Sequence, residues 1–288
     1  MNRILIAGAT GYLGRYIVAE SQNRDLNTTV LVRNKKKAEK MNLSPENIFV
    51  AEVTEKDTLA DCCNNIDVVI SSLGITRQRD DKTYMDVDYQ GNMNLLEEAK
   101  KANVKKFIYV SALKADQLRE VQICDAKEKF VDELKKSGLD YSIIRPNGFF
   151  SDITEFYNMA KKGKVYLFGD GELKSNPIHG ADLAEVCVDA VFSSEKEINV
   201  GGPEVLTHNK IAETAFAAVG KKPKISYIPD WIRKGILRFG KVFLPAKMFG
   251  PVQFFMTVMA KEMVAPIHGK ITLKEYFYQL HLKENKER

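Results

Sequence analysis

Three glycines near the start of the chain have the spacing of a phosphate-binding turn. Gly8-Ala9-Thr10-Gly11-Tyr12-Leu13-Gly14 follows the short apolar run Arg3-Ile4-Leu5-Ile6-Ala7. It leads into Arg15-Tyr16-Ile17-Val18-Ala19-Glu20, which suits a helix. Gly8 lets the chain turn sharply off the strand, Gly11 leaves room for a pyrophosphate beside the backbone, and Gly14 allows close helix–sheet packing. The amides at the helix N-terminus then face the phosphates. Gly8, Thr10, Gly11, Tyr12, Leu13 and Gly14 are thus expected to hold a dinucleotide. The second strand, Thr28 to Arg33, ends in a base where an NAD-preferring site usually carries an acid. A carboxylate would repel a 2′-phosphate, whereas the Arg33 guanidinium can pair with it twice, so the expected cofactor is NADP(H). Lys35, Lys36 and Lys37, just beyond, read as a solvated basic turn.

The elements that must position these residues alternate regularly. Asn47 to Thr54 reads as a third strand and its exit, with Glu52-Val53 beside the adenine or in a plain loop, and Asp57 to Cys63 as a short helix. Asp67 to Gly74 is a fourth strand, apolar as a strand buried on both faces should be. Its exit, Ser72-Leu73-Gly74, has side chains small enough for a dinucleotide to pass close to the backbone. A polar loop from Thr76 to Lys82 precedes a long amphipathic helix, Tyr84 to Ala102, and a fifth strand, Lys106 to Val110. Asp125 to Ser137 has helical periodicity closed by Gly138, and Tyr141 to Ile144 is the sixth strand, ending at Arg145-Pro146. This order predicts an α/β fold, a doubly wound parallel sheet with helices on both faces.

The pattern changes after Pro146. Asn147 to Lys162 and Lys164 to Gly171 read as an excursion, Asn176 to His179 as the return, Gly180 to Ser193 as a helix and Glu197 to Val200 as a last strand. Gly201-Gly202-Pro203 marks departure into a smaller, mostly helical lobe with a helix near Asn209 to Val219 and a strand at Lys224 to Ile228. Residues 1–148 plus 176–201 are therefore expected to bind the cofactor, and 149–175 plus 202–288 to form a substrate lobe. Residues 231–263 are rich in Phe and Met with interleaved Lys and Arg, and Gly250-Pro251 is expected to divide them into helices. This run is expected to pack the lobe, with part of it lining the substrate mouth or docking on a bilayer or a partner.

Composition excludes several classes. The chain has 288 residues, 44% of them hydrophobic, enough for a large core. No run is long and apolar enough to suggest a membrane span. Leu5 to Val18 is broken by glycines and Arg15 and reads as fold rather than signal peptide. Cys62, Cys63, Cys124 and Cys187 give neither metal-ligand spacing nor a disulfide framework, so no metal and a reduced cytoplasmic setting are expected. The net charge of +5 is spread out and no nucleic-acid module is present, so no nucleic-acid partner is expected.

Taken together, Gly8 to Gly14, Asp67 to Gly74, Val87 to Asn92, Phe107 to Ser111, Asp125-Ala126-Lys127, Gly138 to Pro146 and Pro177 to Leu183 resemble the short-chain dehydrogenase/reductase superfamily in its extended or atypical branch. Within it, Arg145 to Phe150, Phe168 to Gly171, Pro177-Ile178, Asp182 to Ala184 and Gly201 to Pro203 look like the divinyl chlorophyllide 8-vinyl reductase group and its NmrA-like relatives. The resemblance implies a Rossmann fold, NADPH and a bulky, apolar, conjugated ligand.

In the typical site of that superfamily a Ser orients the substrate oxygen, a Tyr exchanges a proton, and a Lys lowers the Tyr pKa and holds the nicotinamide ribose. Ser111 matches the Ser and Lys127 the Lys, but the Tyr position holds Ile123. The resemblance also puts Ser72, Leu73, Gly74, Lys127 and Pro146 beside the cofactor. Cys124, next to Ile123, could stand in as proton donor with a free thiol pKa near about 8.5, although a small packing residue is the plainer reading. Tyr89 is a second stand-in, and its ring suits packing. His179 reads as structural, and Phe149 and Phe150 as core or pocket wall. The expected function is NADPH-dependent reduction of a hydrophobic small molecule, of C=C or quinone type, because hydride delivery needs no side-chain acid. The alternative is a non-catalytic NADP-binding redox sensor or assembly factor that grips a partner.

Overall fold

The computed structural model describes residues 2–41, 43–75 and 82–286. In chain order its main elements are β1 (Arg3–Ala7), α1 (Tyr12–Asn23), β2 (Asn27–Val32), α2 (Lys35–Ala38), β3 (Ile48–Val50), β4 (Val68–Ser71), a π-helical turn (Met85–Gly91), α3 (Asn92–Lys101), β5 (Lys106–Val110), α4 (Gln122–Lys136) and β6 (Asp140–Pro146). There follow α5 (Phe150–Lys161), β7 (Val165–Phe168), β8 (Lys174–Ser175), α6 (Gly180–Asp189), β9 (Glu197–Val200), β10 (Leu206–Thr207), α7 (His208–Ala218), β11 (Ile225–Ile228), α8 (Asp230–Phe243), α9 (Ala246–Val258) and α10 (Leu273–Lys286).

One sheet runs β3-β2-β1-β4-β5-β6-β9. Its pairings from β3 to β6 are parallel: Ile4, for example, lies opposite Thr28 on one side and Val68 on the other. β9 joins the β6 edge, where the Ile143 amide donates to the Lys196 carbonyl. The strand order steps outward from β1 in both directions, which places a crevice at the carboxyl ends of β1 and β4. The expected doubly wound α/β architecture is present.

The chain divides into two compact units, Met1–Arg145 with Leu183–Ile198, and Pro146–Asp182 with Asn199–Arg288. Leu5, Val69, Phe107, Tyr109, Phe130 and Ile143 are fully buried in the core of the first, where strand side chains meet helix α4. In the second, Phe150, Phe156, Tyr157, Phe216 and Phe277 from α5, α7 and α10 pack together. Two short ladders join that unit, β7 parallel to β11 and β8 antiparallel to β10.

Several sequence expectations need correction. Asp57 to Cys63 is not a helix beyond a 3-10 turn at Lys56–Leu59: Ala60 leaves the helical region (ψ 130°), and Asp61, at a left-handed φ of 65°, keeps the helix from resuming. The long helix expected from Tyr84 opens as the π-helical turn, and only Asn92–Lys101 is α-helical. Gly250-Pro251 does not divide the run after Trp231. The break lies at Leu244, which is extended (ψ 141°) before Pro245, as a pre-proline residue prefers. Pro251 stays inside α9; Gly250 before it has no Cβ for the proline ring to meet. Helix α10 and the β7–β11 ladder were not legible as such. The polar loop expected at 76–82 lies, except for Lys82, outside the described residues.

Candidate functional site

The three glycines have three different reasons to be glycine. Gly8 leaves β1 with φ +81°, and a Cβ on it would lie 2.9 Å from Ser72 Oγ. A Cβ on Gly14 would lie 2.1 Å from the Gly8 carbonyl oxygen, so α1 could not seat so closely on the strand exit. Gly11 is exposed, and its Cβ would meet only the Gly8 carbonyl oxygen, at 3.1 Å. The protein itself thus demands glycine strictly at 8 and 14, while the bare backbone at 11 leaves space on the solvent side. Gly11 also caps α1, contributes no side-chain acceptor, and no acidic residue sits in the helix's first turn. The positive end of α1 is left for an external anion. Thr10 is exposed, Tyr12 half-buried and stacked edge-on to Tyr16, and Leu13 buried.

The β4 exit runs beside this turn. Ser72 Oγ donates to the Ala7 carbonyl at 3.1 Å, tying β4 to β1 at their carboxyl ends. Gly74 is exposed, and a Cβ on it would meet Asp88 Oδ1 at 2.6 Å and Lys127 Nζ at 2.9 Å. Asp88, fully buried in the π-helical turn, accepts from the Ile75 amide at 3.1 Å and pairs with Lys127 Nζ at 3.0 Å. Asn92, at the turn's end, accepts from Ser71 Oγ at 2.5 Å and donates to the Asp88 carbonyl at 2.9 Å. Lys127 also stands over the Tyr109 ring, 5.4 Å from its centre. Burial pulls the Lys127 ammonium down, but Tyr109 and Asp88 outweigh it and hold it above the usual lysine range. Burial pushes the Asp88 carboxyl up against the pull of Lys127. Lys127 is therefore a protonated, fixed cation at the β4 exit. Neither Asp88 nor Tyr109 was singled out from the sequence. The signal for Asp88 is its place in Val87-Asp88-Tyr89-Gln90-Gly91-Asn92, a carboxylate in a stretch that otherwise suits packing.

Lys127 Nζ also reaches the Val110 carbonyl, at 3.5 Å, next to Ser111, whose hydroxyl is engaged elsewhere. Ser111 is buried and its hydroxyl donates to Glu128 Oε1 at 2.7 Å. Glu128, 1% exposed, receives two bonds from Arg145, Nη1 to Oε1 at 2.6 Å and Nη2 to Oε2 at 2.9 Å. Arg145 Nε donates onward to Glu197 at 3.0 Å. Ser111 is one corner of a buried ionic network at the sheet's β5–β6 end. Ile123 is buried, and so is Cys124, whose thiol burial pushes up to about 12. At neutral pH that thiol keeps its proton. Tyr109 is no substitute acid either: it is fully buried, and burial raises its phenol above the usual tyrosine range. Tyr89 is half-buried against the first unit's core.

Arg33, just past β2, is exposed and only loosely held, its Nη1 3.5 Å from Glu52 Oε2. Glu52 is itself tied by Thr54, whose amide and hydroxyl both donate to Oε1 at 3.2 Å. The tip of β2 therefore presents an exposed guanidinium paired with the Glu52 carboxylate. Lys35, Lys36 and Lys37 are exposed on α2.

In the second unit Pro146 is buried and opens a tightly bonded corner. Asn147 Nδ2 donates to Asn176 Oδ1 at 2.9 Å and to the Met263 carbonyl at 2.5 Å. Asn176, fully buried, bonds to both backbone groups of Ala265, its Nδ2 donating at 2.8 Å and its Oδ1 accepting at 3.0 Å. A Cβ on Gly201 would lie 2.1 Å from Asn176 Nδ2, and one on Gly202 1.9 Å from the Pro177 carbonyl oxygen. The Gly201-Gly202 pair is thus required by close approach. Phe149 is half-buried, Phe150 fully buried in the core, and His179 Nδ1 accepts from the Ala181 amide at 3.1 Å. The packing readings of Phe150 and His179 agree with these positions.

A dinucleotide fits the first unit: the cradle at Gly11 is the space a side chain would fill, an uncapped helix end meets it, and a basic group stands at the tip of β2. No metal-binding cluster exists among the described residues. Residues 8–194 match the NAD(P)H-binding family. The chain is 31% identical to the chloroplastic divinyl chlorophyllide a 8-vinyl-reductase of Arabidopsis thaliana, over 95% of this chain and 75% of that protein. It is 29% identical to the photosystem II assembly factor Ycf39 of Synechocystis, over 84% of this chain and 74% of that protein. Its fold is similar to that of the NADPH-dependent quinone oxidoreductase QOR2 of Escherichia coli, with a TM-score of 0.71 and 19% identity over 96% of this chain and 99% of that one. By its sequence, the chain belongs to the NAD(P)H-binding family.

Proposed function

We propose that this protein is an NADPH-dependent reductase of a hydrophobic, conjugated small molecule, acting on a C=C or quinone-type system. The observation that carries this reading is the Lys127 ammonium, fixed by Asp88 at the β4 exit, in a unit where position 123 holds a buried isoleucine. When bound, the nicotinamide supplies hydride. The chain's own part is to hold it: Gly8, Thr10, Gly11, Tyr12, Leu13 and Gly14 at the pyrophosphate, Ser72, Leu73 and Gly74 along the β4 exit, Lys127 at the nicotinamide ribose, Arg33 at the 2′-phosphate and Pro146 near the ring. With the Cys124 thiol at about 12 and the Ser111 hydroxyl committed to Glu128, neither supplies a proton at neutral pH. A conjugated acceptor suits such a site, since its proton can come from water after hydride addition. The similarity to a vinyl reductase supports the same substrate class.

The test is NADPH oxidation over a panel of quinones, enones and tetrapyrroles, with cofactor binding measured in parallel. Turnover on conjugated acceptors and negligible oxidation of secondary alcohols are expected. Robust alcohol oxidation that disappears in Lys127→Ala would show an acid–base group elsewhere. Binding without turnover on any acceptor supports a second reading, a non-catalytic NADP-binding sensor or assembly factor. The inward-turned Ser111 and the similarity to an assembly factor favour that reading.

Cofactor choice is tested separately. Arg33→Ala is expected to weaken NADPH binding by about 1.5–3 kcal/mol, one charge-assisted contact, and to leave NADH binding nearly unchanged. Glu52→Gln removes the carboxylate that competes for Arg33 and is expected to tighten NADPH binding. Equal affinity of the wild type for both cofactors defeats the assignment.

A further inference from the structure

We propose that the exposed face of α8 and the start of α9 docks on an anionic lipid surface. The inference stands apart from the cofactor site. Trp231, Phe239 and Phe243 on α8 are 72%, 58% and 78% exposed, and Met248 on α9 is 58% exposed. At about 100° per residue, Phe239 and Phe243 fall on one edge of the helix and Trp231 about 80° round from Phe239, so the three share one face about a third of the circumference wide. Lys234 and Arg238, both exposed, border that face on the Trp231 side, Arg238 on the row of Trp231 itself. The opposite side anchors the helix. A Cβ on the buried Gly240 would lie 3.2 Å from the Phe249 ring of α9, and the buried Arg233 bonds to Asp230 and to the Met256 carbonyl. The aromatics are therefore held outward by a packed helix.

Charge selects the occupant. Residues 231–260 contain five Lys or Arg and no Asp or Glu. The acid at the head of α8, Asp230, is already tied to Arg233 and Lys234. Aromatic side chains beside a basic row on one helix suit the headgroup–acyl boundary of an anionic bilayer. Among the described residues no helix is long and apolar enough to cross a membrane, so the helix would lie on the surface. A second copy docked by twofold symmetry would set this basic face against itself.

Trp231 is the only tryptophan of the chain, so its fluorescence reports on this face alone. Full-length protein is titrated with phosphatidylglycerol-containing vesicles and with phosphatidylcholine vesicles, with co-sedimentation alongside. A blue shift and co-sedimentation with the anionic vesicles only, both weakened by salt, are expected. Phe239→Ser with Phe243→Ser is expected to abolish binding, and Lys234→Ala and Arg238→Ala to weaken it roughly fivefold each. Circular dichroism melts check that the exposed-site variants stay folded. Absence of binding, equal binding to neutral vesicles, or a dimer that the Phe variants dissolve in place of vesicle binding overturns the proposal.

Discussion

Glu128→Ala is expected to destabilise the protein by about 3–5 kcal/mol, the usual effect of stranding a buried charge. Arg145 is almost wholly buried, its side chain 5% exposed, and Glu128 receives two of its bonds. Its remaining carboxylate partner, Glu197, is 41% exposed and shared with Lys135, so it cannot replace the lost bidentate contact. The loss should sit toward the lower end of the range because Glu197 retains one bond. Glu128→Gln keeps the shape and an acceptor for Ser111 and should lose about half as much. A double variant, Glu128→Leu with Arg145→Leu, removes both charges and should be less damaging than Glu128→Ala alone. Urea unfolding of the three variants checks this. A loss below about 1 kcal/mol for Glu128→Ala would mean that water reaches Arg145.

Gly11→Val and Gly14→Ala should fail in opposite ways. At Gly14 the added Cβ would sit 2.1 Å from a backbone oxygen that cannot move without moving β1. Gly14→Ala is therefore expected to lose about 1–3 kcal/mol of stability, as overpacking does. At Gly11 the nearest atom to a Cβ is the same oxygen, 3.1 Å away, a tight contact relieved by a shift of a few tenths of an ångström, so Gly11→Val should still fold. Its branched side chain then fills the pyrophosphate's space, and NADPH affinity should fall about 10- to 100-fold, again an overpacking loss of ~1–3 kcal/mol. Thermal melts and cofactor titration separate the two. A folded Gly11→Val with full affinity would mean that this turn is not the cradle.

The sheet was legible because parallel strands buried on both faces are short apolar runs, and Leu5, Val69 and Ile108 show nothing else. The glycine turn was legible because φ, close packing and open space each demand glycine at its own position. Boundaries set by single dihedrals were not: nothing in the composition around Asp61 announces a left-handed residue. The ionic contacts were hidden for another reason. Glu128 and Asp125 occupy one helix in similar company, yet Glu128 faces Arg145 in the core while Asp125 pairs with Lys129. Only the direction of α4 distinguishes them. Lys127 could be matched by position, but its partner Asp88 lies on a different element, 39 residues earlier, and only the fold joins them.

The π-helical turn makes the address of Asp88 a matter of phase. A turn of this kind holds one more residue than an α-helical turn spanning the same rise. Removing one residue between Tyr89 and Asn92 would let the segment relax into α3 as an unbroken α-helix, with better backbone hydrogen bonds than before. Everything before the deletion would then rotate by about 100° relative to everything after it. Asp88 would keep its neighbours in sequence and lose the pairing of Asn92 with its own carbonyl, so carboxylate and lysine could no longer be in register. Single-residue insertions and deletions here would thus act as discrete steps on the lysine's orientation, whereas substitutions only trim it. Length, more than residue identity, is the quantity this segment has to preserve.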